Sequence, residues 1–401
     1  MRTNKMKNKA GDQSIVRITN QKTIIEYLRK KGPTSKADLS KILKISKPTV
    51  AKNVEELISN NILYEFGEGV SSGGRKPLLI AFNEKFKYIL SLEINIDYPM
   101  IALFDLDGKI IIKIKVGIDK KIKEKDYFEQ IYLEIDKLFK SQKIDEEKIG
   151  VISVSTPGII NEETGEIHAN PQFKDWEAIN LSKELRKRFD KRVIVKNDIS
   201  MAALGEKHYG IGKPYNNLIY ISSTLGIGAG LIIKGKLYEG IRNAAGEIGY
   251  FIEKDNLETD DNLESLYSIP NIIKNIKLRL KDNKDSILFD LSDEGKKEIT
   301  LEMIVESINS ADKYTLKIIE DAARAYAVAI NNIAILLDLK CIIIGGSLID
   351  LGIVFLNQIS DIINKKSPIE VKVFPSSLRE NASLYGTYII GNYYLTKNMI
   401  K

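Results

Sequence analysis

Lys47, Thr49, Lys52 and Asn53 fall on the polar side of a helical stretch whose other side carries Val50, Val54, Leu57 and Ile58. These side chains are of the types that read bases: lysine donates to guanine O6 and N7, and an asparagine amide pairs with adenine N6 and N7. Further along, Arg75 and Lys76 follow Gly73-Gly74. A long cation on a flexible tip suits insertion into a minor groove or a phosphate clamp. Other chemistries have few carriers. The single cysteine, Cys341, excludes a disulfide framework and any multi-cysteine metal site. Two histidines, His168 and His208, leave little room for His-rich metal binding or a Ser-His-Asp machine.

The elements that would position the cations can be read locally. Ile18 to Lys30 is amphipathic, with Ile18, Ile25 and Leu28 near one face, and Gly32-Pro33 ends it. Ser35-Lys36-Ala37-Asp38 is a capping-box pattern opening a short helix with inner face Leu39, Ile42 and Leu43. Ser46 caps the third helix, and Lys47-Pro48-Thr49 fill its first turn, where proline is tolerated. Two short helices joined by a tight turn form a helix-turn-helix, and Ile62–Phe66, a Gly/Ser loop and Leu78–Ile80 add a wing. Residues 1–80 carry 16 Lys and Arg against 7 Asp and Glu, whereas the rest carry 44 against 47. A solvated Lys-rich surface would explain any one of these charges. Their coincidence with three helices, two caps and a wing points to DNA binding. Residues 14–81 are therefore expected to be a winged helix-turn-helix that meets operator DNA, with a basic, disordered stretch at 1–13. Such proteins read two half-sites through two-fold symmetry, so a homodimer or higher homo-oligomer is expected.

With 401 residues the chain exceeds one ordinary core. From Phe82 the pattern becomes α/β. Tyr88–Asn95, Met100–Leu106 and Lys109–Val116 read as strands, the last two joined at Asp107-Gly108. A helix (Lys125–Lys140), a strand (Gly150–Val154) and the turn Ser155-Thr156-Pro157-Gly158 follow. A comparable opening recurs at Leu218–Ser222 and Gly228–Ile233, with a turn at Lys234-Gly235. Two related lobes with a cleft between them are expected. The N-terminus lacks the apolar run of a signal peptide. Ala327–Leu339 is interrupted by Asn331 and Asn332, and no run approaches the ~18 apolar residues that span a bilayer. A cytoplasmic protein with no membrane partner is expected.

Seven further sequences occur in order: Ser155-Thr156-Pro157-Gly158, Asn170-Pro171 with Trp176, Val195-Lys196-Asn197-Asp198, Gly226-Ile227-Gly228-Ala229-Gly230, Ala245-Gly246-Glu247-Ile248-Gly249, Leu263-Glu264-Ser265 and Ile344-Gly345-Gly346-Ser347. Together they resemble the ROK family of repressors and sugar kinases, over nearly the whole chain. The resemblance implies an α/β fold: an N-terminal winged helix-turn-helix followed by a two-lobed, actin-like (ribonuclease H-like ATPase) sugar-kinase body at 82–401. Its lobes would be about 82–198 with a C-terminal helix at 380–397, and 199–379. It implies that Asp198 matches the general base of kinase members, and that Asn170, Asn197, Glu247 and Glu264 match positions that hydrogen-bond sugar hydroxyls. Carboxylates and amides in a cleft are what a polyol needs. Taken alone, Asp198 reads as a helix N-cap and Glu247 as a surface acid.

Two departures from the family bear on activity. Where kinase members carry Asp-x-Gly-Gly-Thr for ATP phosphates, this chain has Glu93-Ile94-Asn95-Ile96-Asp97, and Thr224-Leu225 stands in the second phosphate loop. Without the glycines the backbone turns less freely and cannot approach phosphate as closely. Asp97 adds a like charge. Many members also bind zinc through a His and three cysteines; here Tyr250 stands at the His position and 251–262 contains no cysteine. Four-coordinate zinc cannot be assembled from these residues, and no metal or cofactor is expected. Tyr250 reads equally as a sugar contact and as a core tyrosine. The expected function is a sugar-responsive transcriptional regulator, a repressor of carbohydrate-utilisation genes, that binds its effector without phosphorylating it. The competing readings are a ROK sugar kinase with an appended DNA-binding head, and a DNA-binding protein whose body only mediates assembly.

Overall fold

No proline interrupts residues 2–31, and they form a single helix, α1 (Arg2–Lys31), ending in Arg29, Lys30 and Lys31, cations favoured at a helix C-terminus. Lys, Arg and Met are good helix formers, and they extend a helix already anchored by the buried Ile24, Ile25 and Leu28. The computed structural model describes residues 2–70, 76–95, 98–119, 122–161, 164, 166–168, 180–252 and 261–400. Arg75, Ile96, Asp97, Asn170, Trp176 and most of the acidic stretch 251–262 lie outside the described residues.

The short strand β1 (Thr34–Ser35) leads into α2 (Lys36–Leu43) and α3 (Lys47–Ser59). Ser35 Oγ accepts from the Asp38 N–H at 3.1 Å and donates to the Asp38 carboxylate at 2.6 Å, a variant of the expected capping box. Helix α2 buries Leu39, but Ile42 is 49% exposed, contrary to the inner face read from the sequence. Strands β2 (Leu63–Glu68) and β3 (Leu78–Phe82) complete a sheet of order β1-β3-β2.

In the first lobe, β4 (Tyr88–Glu93), β5 (Met100–Phe104) and β6 (Ile110–Lys115) form an antiparallel meander. After α4 (Glu124–Gln142) comes β7 (Ile149–Thr156), parallel to β4. The small hairpin β8 (Ile159–Ile160) and β9 (Ile167–His168), α5 (Leu181–Phe189) and β10 (Val193–Asn197) follow. Helix α6 (Asp198–Tyr209) then crosses to the second lobe. There β11 (Leu218–Ser223), β12 (Ile227–Ile233) and β13 (Lys236–Tyr238) repeat the meander. Helices α7 (Leu263–Tyr267), α8 (Ile269–Leu280), α9 (Ile287–Leu291), α10 (Leu301–Asn309) and α11 (Lys313–Leu337) separate it from β14 (Cys341–Gly346), α12 (Gly352–Lys366) and β15 (Lys372–Pro375). The two five-stranded sheets, β6-β5-β4-β7-β10 and β13-β12-β11-β14-β15, share one strand order. The repeat legible in the sequence is thus a repeated topology.

The last helix, α13 (Ala382–Asn398), returns to the first sheet, where Leu384 and Tyr388 pack with Ile89, Phe104 and Val151. Helix α6 lies on the second sheet through Met201 and Ala203. The two helices touch backbone to backbone. A Cβ on Gly386 would stand 1.9 Å from the Met201 carbonyl oxygen, and one on Gly205 would stand 2.0 Å from that of Ala382. The head is not a free appendage either: Ile24, Leu28, Val50 and Leu57 belong to the same apolar cluster as Ile89, Met100, Phe104 and Tyr388 of the body.

Candidate functional site

Strand β10 ends at the cleft, and its last residue starts α6. Asn197 is the N-cap: its Oδ1 accepts from the Ser200 N–H at 2.9 Å, and its Nδ2 donates to the Gly158 carbonyl at 3.2 Å. The amide expected to meet sugar hydroxyls also clamps the 155–158 turn to α6. Asp198 is therefore not the cap. Its Oδ1 takes the Ile199 N–H at 2.8 Å, and the residue lines a cavity of about 550 Å³ together with Glu93, Asn95, Thr224, Ser347 and Arg379.

Four carboxylates are electrostatically linked in series, starting from Glu93 and Asp198 in this cavity; Glu247 and Glu264 couple to them without lining it. Burial, then Asp198, push the Glu93 carboxyl up to about 8. Burial, then Glu247, push Asp198 up to about 6, against the N–H bonds that favour its ionised form. Glu247 is raised by burial and by Glu264. Near neutral pH Asp198 is thus an acceptor and Glu93 holds a proton, a combination that suits a hydroxyl, which both donates and accepts. Glu264 is already engaged: its Oε2 accepts the Ile227 N–H at 2.7 Å, and Gly226 and Gly249 give it room. Tyr250 is 67% exposed, which overturns the core-tyrosine reading. It sits on a 3-10 turn (Ile248–Tyr250) that follows Glu247 directly.

The turn after β4 is closed by a side chain. Asn95 Oδ1 accepts the Tyr98 N–H at 2.8 Å, and the Asn95 carbonyl accepts the Tyr127 hydroxyl at 2.8 Å. Asn95 thus occupies space that the missing glycines would leave open. Among the described residues no three His, Cys, Asp or Glu side chains are grouped to hold a metal ion.

On the head, Ser46 caps α3: its Oγ accepts the Thr49 N–H at 3.3 Å and lies 2.8 Å from Thr49 Oγ1. Lys47 and Lys52 are exposed. Asn53 is not; it is 3% exposed, and its Nδ2 bonds the Thr49 carbonyl at 2.8 Å. The expectation that it reads bases is corrected. Its place three residues after Val50 and four before Leu57 puts it on the buried stripe, a signal present in the sequence. Lys76 on the wing pairs with Glu68 at 3.5 Å.

Sequence reasoning missed two links between cleft and head. Glu206, buried on α6, accepts from Ser376 Oγ, Ser377 Oγ, Leu378 N–H and Ile211 N–H, so it holds the loop that forms the far wall of the cavity. Arg29 of α1 donates to the Leu106 carbonyl, to Thr396 Oγ1 at 3.2 Å and to Asn392 Oδ1 at 3.4 Å. It also faces Asp107 at 3.7 Å and covers the Phe82 ring at 5.1 Å. The hairpin turn it grips abuts α6: a Cβ on Gly108 would stand 2.4 Å from the Tyr209 hydroxyl. Tyr209 in turn stacks on Tyr385 of α13 at 4.7 Å. Helix α6 thus begins at the cleft acid and ends against the turn held by the DNA-binding head.

The ROK family profile matches residues 89–393, three quarters of the chain. The chain belongs to the ROK family. A winged helix-turn-helix DNA-binding profile matches residues 19–64 of this ROK protein. The xylose repressor of Bacillus spizizenii is 28% identical over 383 residues, covering 94% of this chain and 95% of its own. The Escherichia coli transcriptional dual regulator NagC is 24% identical, covering 92% and 89%. Among solved structures, a ROK family transcriptional regulator, a homologue of the E. coli MLC protein, superposes with a TM-score of 0.77 at 24% identity over 96% of this chain and 98% of that one. A ROK glucokinase from Streptomyces griseus, solved with glucose and AMPPNP, superposes at 0.64 and 22% identity, over 76% of this chain and 98% of that one. The winged head and the kinase-like body expected from the sequence are both present.

Proposed function

We propose that this ROK protein is a sugar-responsive transcriptional repressor that acts in the cytoplasm as a homodimer. The head binds operator DNA through Ser46, Lys47, Thr49 and Lys52 and through Arg75 and Lys76 of the wing. The effector is taken at Asp198, with Asn197, Glu247, Tyr250 and Glu264 as further partners; Asn170, also expected to be one, lies outside the described residues. The observation that carries this reading is the placement of Asp198 at one end of α6, whose other end packs against the turn gripped by Arg29. Sugar that reorients α6 on closing the lobes would press on the head's own anchor, a hinge motion coupled to DNA binding. The effector is bound and not phosphorylated, because Asn95 fills the turn where phosphate needs bare backbone. Relatives named xylose repressor make D-xylose the first sugar to test.

Calorimetry with D-xylose and a panel of sugars, with and without operator, tests the reading on wild type and Asp198→Ala. The variant is expected to lose sugar binding and keep ligand-free operator binding. Operator is expected to change sugar affinity by the same factor as sugar changes operator affinity. Equal sugar affinity in both states would leave only a DNA-binding scaffold, and sugar-dependent ADP release would restore the kinase reading.

A further inference from the structure

Helix α11 covers the second sheet with Ala322, Tyr326, Ala329, Ile330 and Ile333, all in the apolar cluster that also holds Ile219, Ile221, Ile342 and Ile344. Its outer side changes character part-way along. In the first turns it is charged, and Lys317, Glu320, Asp321 and Arg324 pair with one another at 3.2 to 3.6 Å. From Ala325 to Leu337 no residue is charged. The outward stripe there is Val328, Asn332, Ile335 and Leu336, spaced as i, i+4, i+7 and i+8. Val328, Ile335 and Leu336 are 50%, 46% and 81% exposed, and the chain around them is described without a break from 261 to 400. A helix that only meets solvent carries polar and charged residues on its outer face. Here the charges stop at Arg324 and resume at Asp338, with three large apolar side chains between.

We infer that a second copy of the chain docks on this stripe, the two α11 helices packing antiparallel about a two-fold axis at Asn332. The stripe is complementary to itself in that arrangement, as an isologous contact demands. Val328 and Leu336 lie about 6 Å on either side of Asn332 along the helix, so each Val328 meets the partner's Leu336. The two Asn332 amides face each other on the axis, where each can donate and accept, and a polar pair in an apolar seam fixes the register. Arg324 and Asp338, both exposed, close the stripe at its two ends, so each Arg324 falls beside the partner's Asp338. Lys340, the next cation, is already matched by Glu370 at 2.6 Å. An apolar centre inside a polar, charged rim is the anatomy of a protein–protein contact, and the opposite charges at the two ends favour a second α11 over a membrane. The inference rests on the reading that operator is met by a homodimer, and it adds where the axis lies. Helix α11 belongs to the core of the second lobe, whereas the head shares a core with the first. Pairing through α11 therefore holds the second lobes together and leaves each head on the other lobe, so closing the cleft changes the spacing of the two heads.

Sedimentation equilibrium of the full chain tests this on wild type, Val328→Glu/Leu336→Glu and Val328→Lys/Leu336→Glu. The antiparallel register gathers four carboxylates in the first variant and makes two pairs of opposite charge in the second. Both positions are exposed, so the variants should fold, which circular dichroism checks. If the glutamates unfold the chain, Asn332→Lys, at an exposed position, sets two ammonium groups on the axis and reads the same contact. Wild type is expected to be a dimer. The first variant is expected to dissociate with a constant raised at least about a hundredfold, and the second to recover most of that loss. A wild type that stays monomeric with and without operator would remove the inference and the homodimer reading together. A dimer that survives the glutamates or Asn332→Lys would place the axis on another face, overturning the inference and leaving the homodimer reading standing. Equal dissociation of the two double variants would refute the antiparallel register and overturn it too.

Discussion

Replacing Arg29 with methionine should uncouple the cleft from the head while leaving each able to bind. The guanidinium is largely buried, with 18% of the side chain exposed, and touches both the 105–109 turn and α13. A charge-assisted hydrogen bond contributes ~1.5–3 kcal/mol, but two of the three here are long, and the Leu106 carbonyl keeps the Tyr388 hydroxyl at 2.9 Å. The ion pair to half-exposed Asp107 adds at most ~1 kcal/mol, and the contact over Phe82 ~0.5–1 kcal/mol. Methionine retains the apolar stem. The contributions are not additive, and the expected loss is about 2–4 kcal/mol of head-to-body docking. Removing the cation also leaves Asp107, already raised by burial and facing Asp105 and Glu84, without its opposing charge. Asp107→Asn in the same chain should therefore restore part of the loss. In wild type a coupling of ~1–3 kcal/mol changes operator affinity about 5–150-fold on sugar binding; in Arg29→Met the ratio should approach one. Fluorescence anisotropy of labelled operator, with and without saturating sugar, reads this ratio. Calorimetry confirms that sugar still binds. Lys22→Met is the control: its exposed ammonium only reaches the Lys397 carbonyl at 3.3 Å, and it should change nothing. A full sugar response in Arg29→Met would refute the route through this turn.

Lys52→Ala should weaken operator binding and lower its salt slope by about one, whereas Asn53→Ala should lower the unfolding free energy by about 1 kcal/mol without altering base preference; anisotropy against base-substituted operators separates the two, and relaxed preference in Asn53→Ala would return that residue to the interface. Sugar affinity should fall by up to about tenfold per pH unit below about 6, where Asp198 gains its proton and can no longer accept two hydroxyl hydrogens; a flat calorimetric profile from pH 5 to 7 would contradict this. Folding stability should show the opposite sign. Glu93 and Asp198 hold protons in the native state that the unfolded chain releases, so their contribution is complete below the ordinary carboxylate range and is lost as pH rises through about 6 and about 8. Urea midpoints across that window measure it. Gly386→Ala should cost ~3 kcal/mol or more, because its Cβ would meet the Met201 carbonyl with only backbone to yield; a wild-type melting temperature would show that the two lobes are not packed through these helices.

The elements of this protein were legible because the signals that make them are local. Ser35 and Ser46 cap the helices the sequence assigns to them, Asp107-Gly108 turns the first meander, and the strand-and-hairpin pattern recurs as a second sheet of the same order. The acids Asp198, Glu247 and Glu264 were named only through the resemblance to the ROK family, and the structure couples them in series. What each side chain faces was decided by contacts far along the chain. Asn53 turns inward because the apolar stripe of α3 is buried in a core that also holds the body. Asn197 is a cap because the 155–158 turn stands within reach of its amide. Glu93, read only as part of a degenerate phosphate turn, becomes a protonated partner of Asp198 because β4 and β10 lie on either side of β7 and both end at the cleft. Arg29 looked like one charge in a basic head, yet its partners lie 77 and more than 360 residues away. Periodicity and caps act over a turn or two of chain, while burial, carboxylate coupling and the grip on the 105–109 turn exist only once two lobes and a head share one packed core.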